Sequence, residues 1–190
     1  MMIRYIIELD QNLFLLLNNM GSEEFDFIWL FFSNKITMIL CILMFTLLLC
    51  YKYAQKKTIM ICFFLLICVA LTDLLHVQLF KNIFMRLRPC WSSEMLDNMR
   101  LLVDCGGQYG FISGHAANSA AISTFLLFSF KYIKSPMKYM LIIWALCVSY
   151  SRIYLGKHYP LDVFCGVIFG VIMGFLVYQL YLLYSRNKYA

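Results

Sequence analysis

Long apolar stretches, separated by short polar connections, dominate the pattern of the chain. Five of them come close to the length that a helix needs to cross a bilayer, which is about 20 residues. They run over Phe27–Tyr51, Thr58–Phe80, Ala116–Ile133, Met137–Leu155 and Leu161–Tyr184. The strict alternation typical of a β-strand does not occur in the sequence. The pattern predicts one domain over residues 1–190, folded as an all-α integral-membrane bundle of five spanning helices.

Residues 1–20 have a different pattern, in which apolar positions are interspersed with charged ones. Such a mixture is typical of a helix that lies in the membrane interface. Glu8 and Asp10 argue against a cleaved signal peptide, which needs an uninterrupted apolar core. We expect an interfacial helix here, and a sixth span remains the alternative.

Composition restricts the class of protein further. Hydrophobic residues make up 63% of the 190 residues and charged residues 14%, whereas soluble domains have about 25% charged residues. A soluble domain of this size cannot bury so much apolar surface. With 3 Pro, 9 Gly and no basic run of the nucleic-acid-binding kind, the chain is neither disordered nor predicted to have a nucleic-acid partner.

The distribution of charge predicts the orientation in the membrane. The connections 52–57 and 131–138, together with the tail at Arg186 and Lys188, carry eight basic residues and no acidic ones. The positive-inside rule places these segments in the cytoplasm. The C-terminus is then cytoplasmic, and segments 81–113 and 152–160 open on the outer, periplasmic face of a bacterial-type inner membrane.

Those two segments contain three polar clusters. The first is Lys81-x6-Arg88-Pro89, whose spacing would put both cations on one face of a continuing helix. The second is Ser113-Gly114-His115 at the start of the third span, where free N–H groups can bind an anion. Ordinary interfacial cations and a plainly capped helix are the respective alternatives.

The third cluster is Ser151-Arg152-x5-His158-x3-Asp162. Pro160 suits a first helical turn, so Asp162 would be stabilised as an anion at the start of the fifth span. It could accept a hydrogen bond from His158 and hold its tautomer. A salt-bridged interfacial pair is the alternative. Together the clusters provide what metal-free phosphoryl transfer needs: cations, a nucleophile and a proton donor.

In their order and spacing across residues 81–162, the three clusters resemble the signature of the type-2 phosphatidic acid phosphatase family of membrane lipid phosphatases. One departure is Ile112, where the family usually has Pro. The resemblance implies that His158 is the nucleophile and forms a phosphohistidine, that Asp162 orients it, and that His115 protonates the leaving oxygen. It further implies no metal or cofactor and a set of phosphate-binding groups at Lys81, Arg88, Ser113, Gly114 and Arg152.

Two further patterns concern the scaffold. Cys90 and Cys105 flank the only long polar loop, where an oxidising outer face would favour a disulfide between them. Gly166, Gly170 and Gly174 form a ridge of small residues on the fifth span, which predicts close helix packing within one monomer. A dimer interface is the alternative, and the sequence leaves the oligomeric state open.

The expected function is hydrolysis of a lipid phosphate or diphosphate in the bilayer, such as undecaprenyl diphosphate, phosphatidate, phosphatidylglycerophosphate or a phosphate of lipid A. Apolar tails of such a partner can stay in the membrane while the headgroup reaches the site. The alternatives are a phosphotransferase that moves phosphate between lipids, an anion transporter or channel, and a structural subunit.

Overall fold

The computed structural model describes residues 2–54, 57–130 and 136–189. The helices in chain order are α1 Met2–Asn19, α2 Asp26–Ser33, α3 Lys35–Tyr53, α4 Thr58–His76, α5 Asn82–Phe84, α6 Ser93–Leu96, α7 Gly114–Ser129, α8 Pro136–Tyr154 and α9 Pro160–Tyr189. No β-strand occurs in these described ranges. The all-α class predicted from the sequence is confirmed.

Within the described residues, three helical stretches are long and apolar enough to cross a membrane: Lys35–Lys52, Thr58–Phe84 and Pro160–Arg186. The second joins α4 to α5 through a π-helical turn at Val77–Lys81, a feature that often marks functional sites. The predicted spans at 116–133 and 137–155 correspond to α7 and α8, which are not among the three. Five spanning helices therefore remain a prediction.

α7 is the central helix of the bundle. It has 16 residues, and ten of them, including Ser119, Ser123 and Thr124, are buried. The helix packs against α4, α8 and α9, so neighbouring protein rather than lipid surrounds most of its surface. A helix in this position does not need an uninterrupted apolar sequence, because its polar side chains face neighbouring helices rather than lipid.

The glycine ridge of α9 is the seam against α7. A Cβ added at Gly170 would meet the carbonyl oxygen of Ala117, and one added at Gly174 would meet that of Ala121. Only glycine permits so close an approach of two helix backbones. The predicted packing within one monomer is confirmed, and it places the N-terminal ends of α7 and α9 side by side.

The first predicted span, Phe27–Tyr51, is divided into two helices. α2 ends at Ser33, Asn34 has an extended backbone, and the Asn34 side chain caps α3 by accepting hydrogen bonds from the amides of Ile36 and Thr37. Asn is a favourable N-cap for this reason. The break brings the C-terminal end of α2 to the same end of the bundle as the starts of α7 and α9.

α1 packs against α8 and α9 with one buried stripe, formed by Asp10, Phe14 and Asn18 at intervals of four residues. The Asn18 amide is fully enclosed. Its Nδ2 donates to the carbonyl oxygens of Arg100, Ile153 and Tyr154, at 3.0, 3.1 and 2.9 Å, and its Oδ1 accepts from the Arg100 amide at 2.7 Å. One side chain thus ties α1 to the polar loop and to the end of α8.

Candidate active site

The turn between α8 and α9 presents His158. The amides of Lys157 and His158 both donate to the carbonyl oxygen of Arg152, at 3.0 and 3.2 Å. Gly156 has a φ of +78°, and a Cβ there would lie 2.9 Å from the Arg100 carbonyl oxygen and would also meet Met99. Glycine is therefore required at this turn. α9 begins at Pro160, as the sequence predicts.

His158 is buried beside Asp162, but the predicted hydrogen bond between them is not formed. Nδ1 of His158 lies 3.7 Å from Oδ2 of Asp162, beyond hydrogen-bond distance, and Nδ1 has no hydrogen-bond partner. Oδ2 of Asp162 instead accepts from the Tyr159 amide at 3.1 Å. The two side chains are neighbours, and the orienting role of Asp162 stays a prediction.

Three cations act on the His158 imidazole. Burial lowers the pKa of His158 well below its ordinary value, and the charges of Arg152, Arg88 and Lys81 lower it further. The imidazole is therefore neutral near pH 7 and retains a lone pair for a nucleophilic attack. All three cations that the sequence singles out thus lie within electrostatic reach of the predicted nucleophile.

His115 and Arg152 meet at the end of α2. Nε2 of His115 lies 3.2 Å from the carbonyl oxygen of Ser33, and Nη1 of Arg152 donates to the Ser33 hydroxyl. Arg152 is buried, and its Nε has no hydrogen-bond partner. Ser33 was not predicted as a site residue. Its signal in the sequence is the polar run Ser33-Asn34-Lys35, which interrupts the first predicted span.

Ser113 and Gly114 form the start of α7 at the predicted position. The Ser113 amide donates to the main-chain carbonyl oxygen of Asp162 at 2.9 Å, so the starts of α7 and α9 are linked directly. The Ser113 hydroxyl makes no capping bond and is buried without a hydrogen-bond partner. A Cβ at Gly114 would lie 2.7 Å from Nε2 of His76, which explains why this position is a glycine.

Lys81 and Arg88 do not share a helix face, contrary to the sequence prediction. The helix ends at Phe84, and Met85 has a left-handed backbone with a φ of 44°. Arg88 lies in an extended segment, where Nε donates to the Tyr109 carbonyl oxygen at 3.2 Å and Nη1 to that of Cys105 at 3.0 Å. Backbone contacts of the 105–109 segment hold Arg88 near His158, rather than a helical repeat.

Arg86 is a component of the site that the sequence analysis missed. Its Nη1 donates to Oδ1 of Asp162 at 2.8 Å, and its Nη2 donates to Oδ2 of Asp10 at 2.6 Å. The guanidinium also stacks over the ring of Tyr159, 4.3 Å from its centroid. Arg86 therefore joins α1 to the carboxylate beside His158.

Cys90 and Cys105 are bonded through their sulfur atoms in the structure, with Cα atoms 5.8 Å apart. Cys105 also provides the carbonyl oxygen that accepts from Arg88. The bridge would therefore fix one contact of a predicted phosphate-binding cation. Its oxidation in the native membrane stays a prediction. Across the described ranges, no three His, Cys, Asp or Glu side chains form a candidate metal site.

Comparison with known proteins shows the family of the chain. The family model described as the PAP2 superfamily matches residues 63–186, which is more than half of the chain. The matching family and the apolar helices define a membrane-integral phosphatase. The chain belongs to the PAP2 superfamily, the type-2 phosphatidic acid phosphatase family that the three sequence clusters resemble.

Three relatives illustrate the similarity. A lipid A 4'-phosphatase of Porphyromonas gingivalis is 35% identical over 97% of this chain and 78% of its own. An undecaprenyl-diphosphatase of Sulfolobus acidocaldarius is 34% identical over 70% of this chain and 60% of its own. A phosphatidylglycerolphosphate phosphatase of Bacillus subtilis shares the fold, with a TM-score of 0.69 and 20% identity over 93% of this chain and 86% of its own.

Proposed function

We propose that this chain hydrolyses a lipid phosphate through a phosphohistidine on His158. The observation that carries the proposal is a pair of buried polar atoms without partners, Ser113 Oγ and Arg152 Nε. Both residues are bonded through their main chains to the His158 region, Ser113 to Asp162 and Arg152 to His158 itself. Buried polar groups are nearly always satisfied, so each such exception calls for an explanation. A phosphoryl group bound among them would accept hydrogen bonds from the serine hydroxyl and the guanidinium.

The proposed reaction has two displacement steps. Nε2 of His158 attacks phosphorus, the bond from phosphorus to the lipid oxygen breaks, and His115 gives that oxygen a proton. Water then attacks the phosphohistidine, His115 takes a proton from the water, and inorganic phosphate leaves. Lys81, Arg88 and Arg152, together with the Ser113 hydroxyl and the Gly114 amide, stabilise charge on the phosphoryl oxygens. The Ser113 amide, which the sequence assigned to the phosphate, donates instead to the Asp162 carbonyl oxygen. The residues of the chain perform both steps without a metal.

The substrate that we propose is a lipid A-type phosphate monoester. The P. gingivalis relative, whose similarity extends over 97% of this chain, is a lipid A 4'-phosphatase, and this supports the assignment. Undecaprenyl diphosphate is the second candidate, since an undecaprenyl-diphosphatase matches 70% of the chain. The positive-inside pattern supports a site on the periplasmic face and a cytoplasmic C-terminus.

Phosphate release by the purified protein tests the function. The panel comprises lipid A, undecaprenyl diphosphate, phosphatidate and phosphatidylglycerophosphate, each assayed with EDTA. We expect release from lipid A, inhibition by micromolar vanadate and no effect of EDTA. His158→Ala should remove activity while the protein keeps its size-exclusion profile and its Tm. Full activity of His158→Ala would contradict the mechanism, and loss of activity with EDTA would contradict metal independence.

A second substrate separates the roles of the two histidines. Nitrophenolate leaves without protonation, so His115→Ala should lose far more activity on a lipid phosphate than on nitrophenyl phosphate. His158→Ala should lose both activities equally, because both require the nucleophile. Equal losses on the two substrates in His115→Ala would contradict its assignment as the proton donor.

A further inference from the structure

Asp10, Arg86 and Asp162 form a continuous chain of charged side chains that ends beside His158. Arg86 donates one N–H to each carboxylate, with distances of 2.6 Å to Asp10 and 2.8 Å to Asp162. Oδ1 of Asp10 also accepts from the Leu161 amide at 2.8 Å, in the first turn of α9. Asp10 belongs to α1, which contains none of the residues assigned so far to the reaction.

The chain of charges is shielded from solvent. The side chains of Asp10 and Asp162 are 7% and 0% exposed, and that of Arg86 is 21% exposed. Charges interact more strongly in such surroundings than in water. A single change of charge at Asp10 therefore reaches Asp162 through two short contacts with little screening, and Asp162 lies 3.7 Å from His158.

The sum of the three charges matters for the reaction. When His158 attacks phosphorus, its ring becomes positively charged, and a negative partner stabilises that state. An Arg86–Asp162 pair alone would have no net charge and would stabilise the positively charged His158 ring only weakly. Asp10 neutralises Arg86, so the three groups together keep one net negative charge, and that charge faces Nδ1 of His158.

We propose that Asp10 is a positioning residue for the reaction: by balancing Arg86, it leaves the Asp162 carboxylate negative towards His158. This inference rests on the proposed function. It makes α1 part of the catalytic apparatus rather than a membrane-surface helix alone. Asp10 touches neither substrate nor reacting atoms, and it acts through Arg86 and Asp162.

A merely structural role for Asp10 predicts a different pattern of mutant effects. If Asp10 only tethered α1 to α9, removing Arg86 as well would remove a second tether and could not restore activity. If Asp10 balances charge, removing Arg86 in the Asp10→Asn background restores a net negative charge at Asp162. The double variant distinguishes the two roles.

The experiment measures kcat and KM for the lipid substrate, together with the rate of phosphohistidine formation by alkaline quench. Asp10→Asn should lower kcat and the phosphorylation rate at least tenfold, with KM changed by less than threefold. Asp10→Asn/Arg86→Gln should recover at least threefold over Asp10→Asn. Asp10→Glu, which keeps the charge, should stay within threefold of the unmodified protein.

Glu8→Gln is the matched control, because Glu8 pairs with Arg4 at 3.1 Å on the same helix but with both side chains exposed. It should leave every rate unchanged. The proposal is overturned if Asp10→Asn keeps normal kcat, or if the double variant is no faster than Asp10→Asn. Both results differ from failure of the proposed function, which would appear as no phosphate release by the unmodified protein.

Discussion

The hydroxyl of Ser33, the last residue of α2, accepts a hydrogen bond from Arg152 on α8. Ser33→Ala should lower kcat/KM about 10- to 100-fold, because a buried hydrogen bond to a charged group contributes about 1.5–3 kcal/mol. The contact of His115 with the Ser33 main chain survives this change. The loss should therefore be equal on lipid and nitrophenyl substrates, and Ser185→Ala should show none.

Arg152 tests whether a planar cation is needed. Arg152→Lys keeps the charge but loses the fork of donors that suits a phosphoryl group. We expect kcat/KM to fall about 10- to 100-fold, the equivalent of one or more charged hydrogen bonds, while Tm changes little. Arg186→Lys, on an exposed part of α9, is the control. Normal kcat/KM in Arg152→Lys would contradict the assignment of Arg152 to the phosphate site.

We expect Lys157 to make the KM for the phosphate substrate depend on pH. Its Nζ and Nη1 of Arg88 lie 4.0 and 3.9 Å from the position that a Cβ of Gly106 would occupy. Burial lowers the pKa of Lys157 to about 8, and the charges of Arg152, Arg88 and Lys35 act in the same direction. The ammonium is charged below that pH and loses its charge as the pH rises through it.

The expected consequence is a rise in KM between pH 7 and 9, by about fivefold, since an ammonium near a phosphate is worth about 1 kcal/mol in high dielectric. Lys157→Met should have a higher KM at pH 7 and a smaller rise between pH 7 and 9 than the unmodified protein. Lys52→Met, at the end of α3, should keep the pH dependence. A rise of KM in Lys157→Met as steep as in the unmodified protein would contradict the role of Lys157.

The bridge between Cys90 and Cys105 closes a separation of 15 residues. A loop of this length contributes about 3 kcal/mol in the chain-entropy description. Cys90→Ser/Cys105→Ser should therefore lower Tm and loosen Arg88, which should raise KM, whereas Cys147→Ser should do neither. Mass spectrometry of non-reduced protein taken from its native membrane checks the pairing, and two free thiols would contradict it.

The seam between α7 and α9 predicts a stability effect. Gly170→Ala would press a methyl group onto the Ala117 carbonyl, and overpacking costs about 1–3 kcal/mol. We expect Tm in detergent to fall by about 5 °C. Gly107→Ala is the matched control, since nothing lies within 4 Å of a Cβ at that position. An unchanged Tm in Gly170→Ala would mean that the helices can separate without loss.

Local patterns predicted much of this architecture. Hydropathy located α3, α4 and α9, and Pro160 marked the start of α9, because these signals need no knowledge of distant residues. The same local reasoning was wrong about Lys81 and Arg88, since it assumed a continuing helix. The left-handed backbone at Met85 depends on the fold around it, and nothing in a run of seven residues indicates it.

Arg86 and Asp10 escaped the sequence analysis because they are 76 residues apart in the chain. In the sequence, nothing distinguishes Arg86 from an ordinary interfacial cation next to Arg88. One signal was present: Asp10 shares a four-residue spacing with Phe14 and Asn18, and an acid on the apolar stripe of a helix needs a partner. The identity of that partner follows only from tertiary structure.

The amide of Asn18 has a practical consequence for engineering. It holds two carbonyl oxygens at the end of α8 and one in the polar loop, a few residues before His158. Exchanging the first helix between relatives, for example to build chimaeras with altered lipid preference, would have to carry this asparagine across in register. A graft that matched only hydrophobicity would leave those carbonyl oxygens without a hydrogen-bond donor, and the turn before His158 would lose its contact with α1.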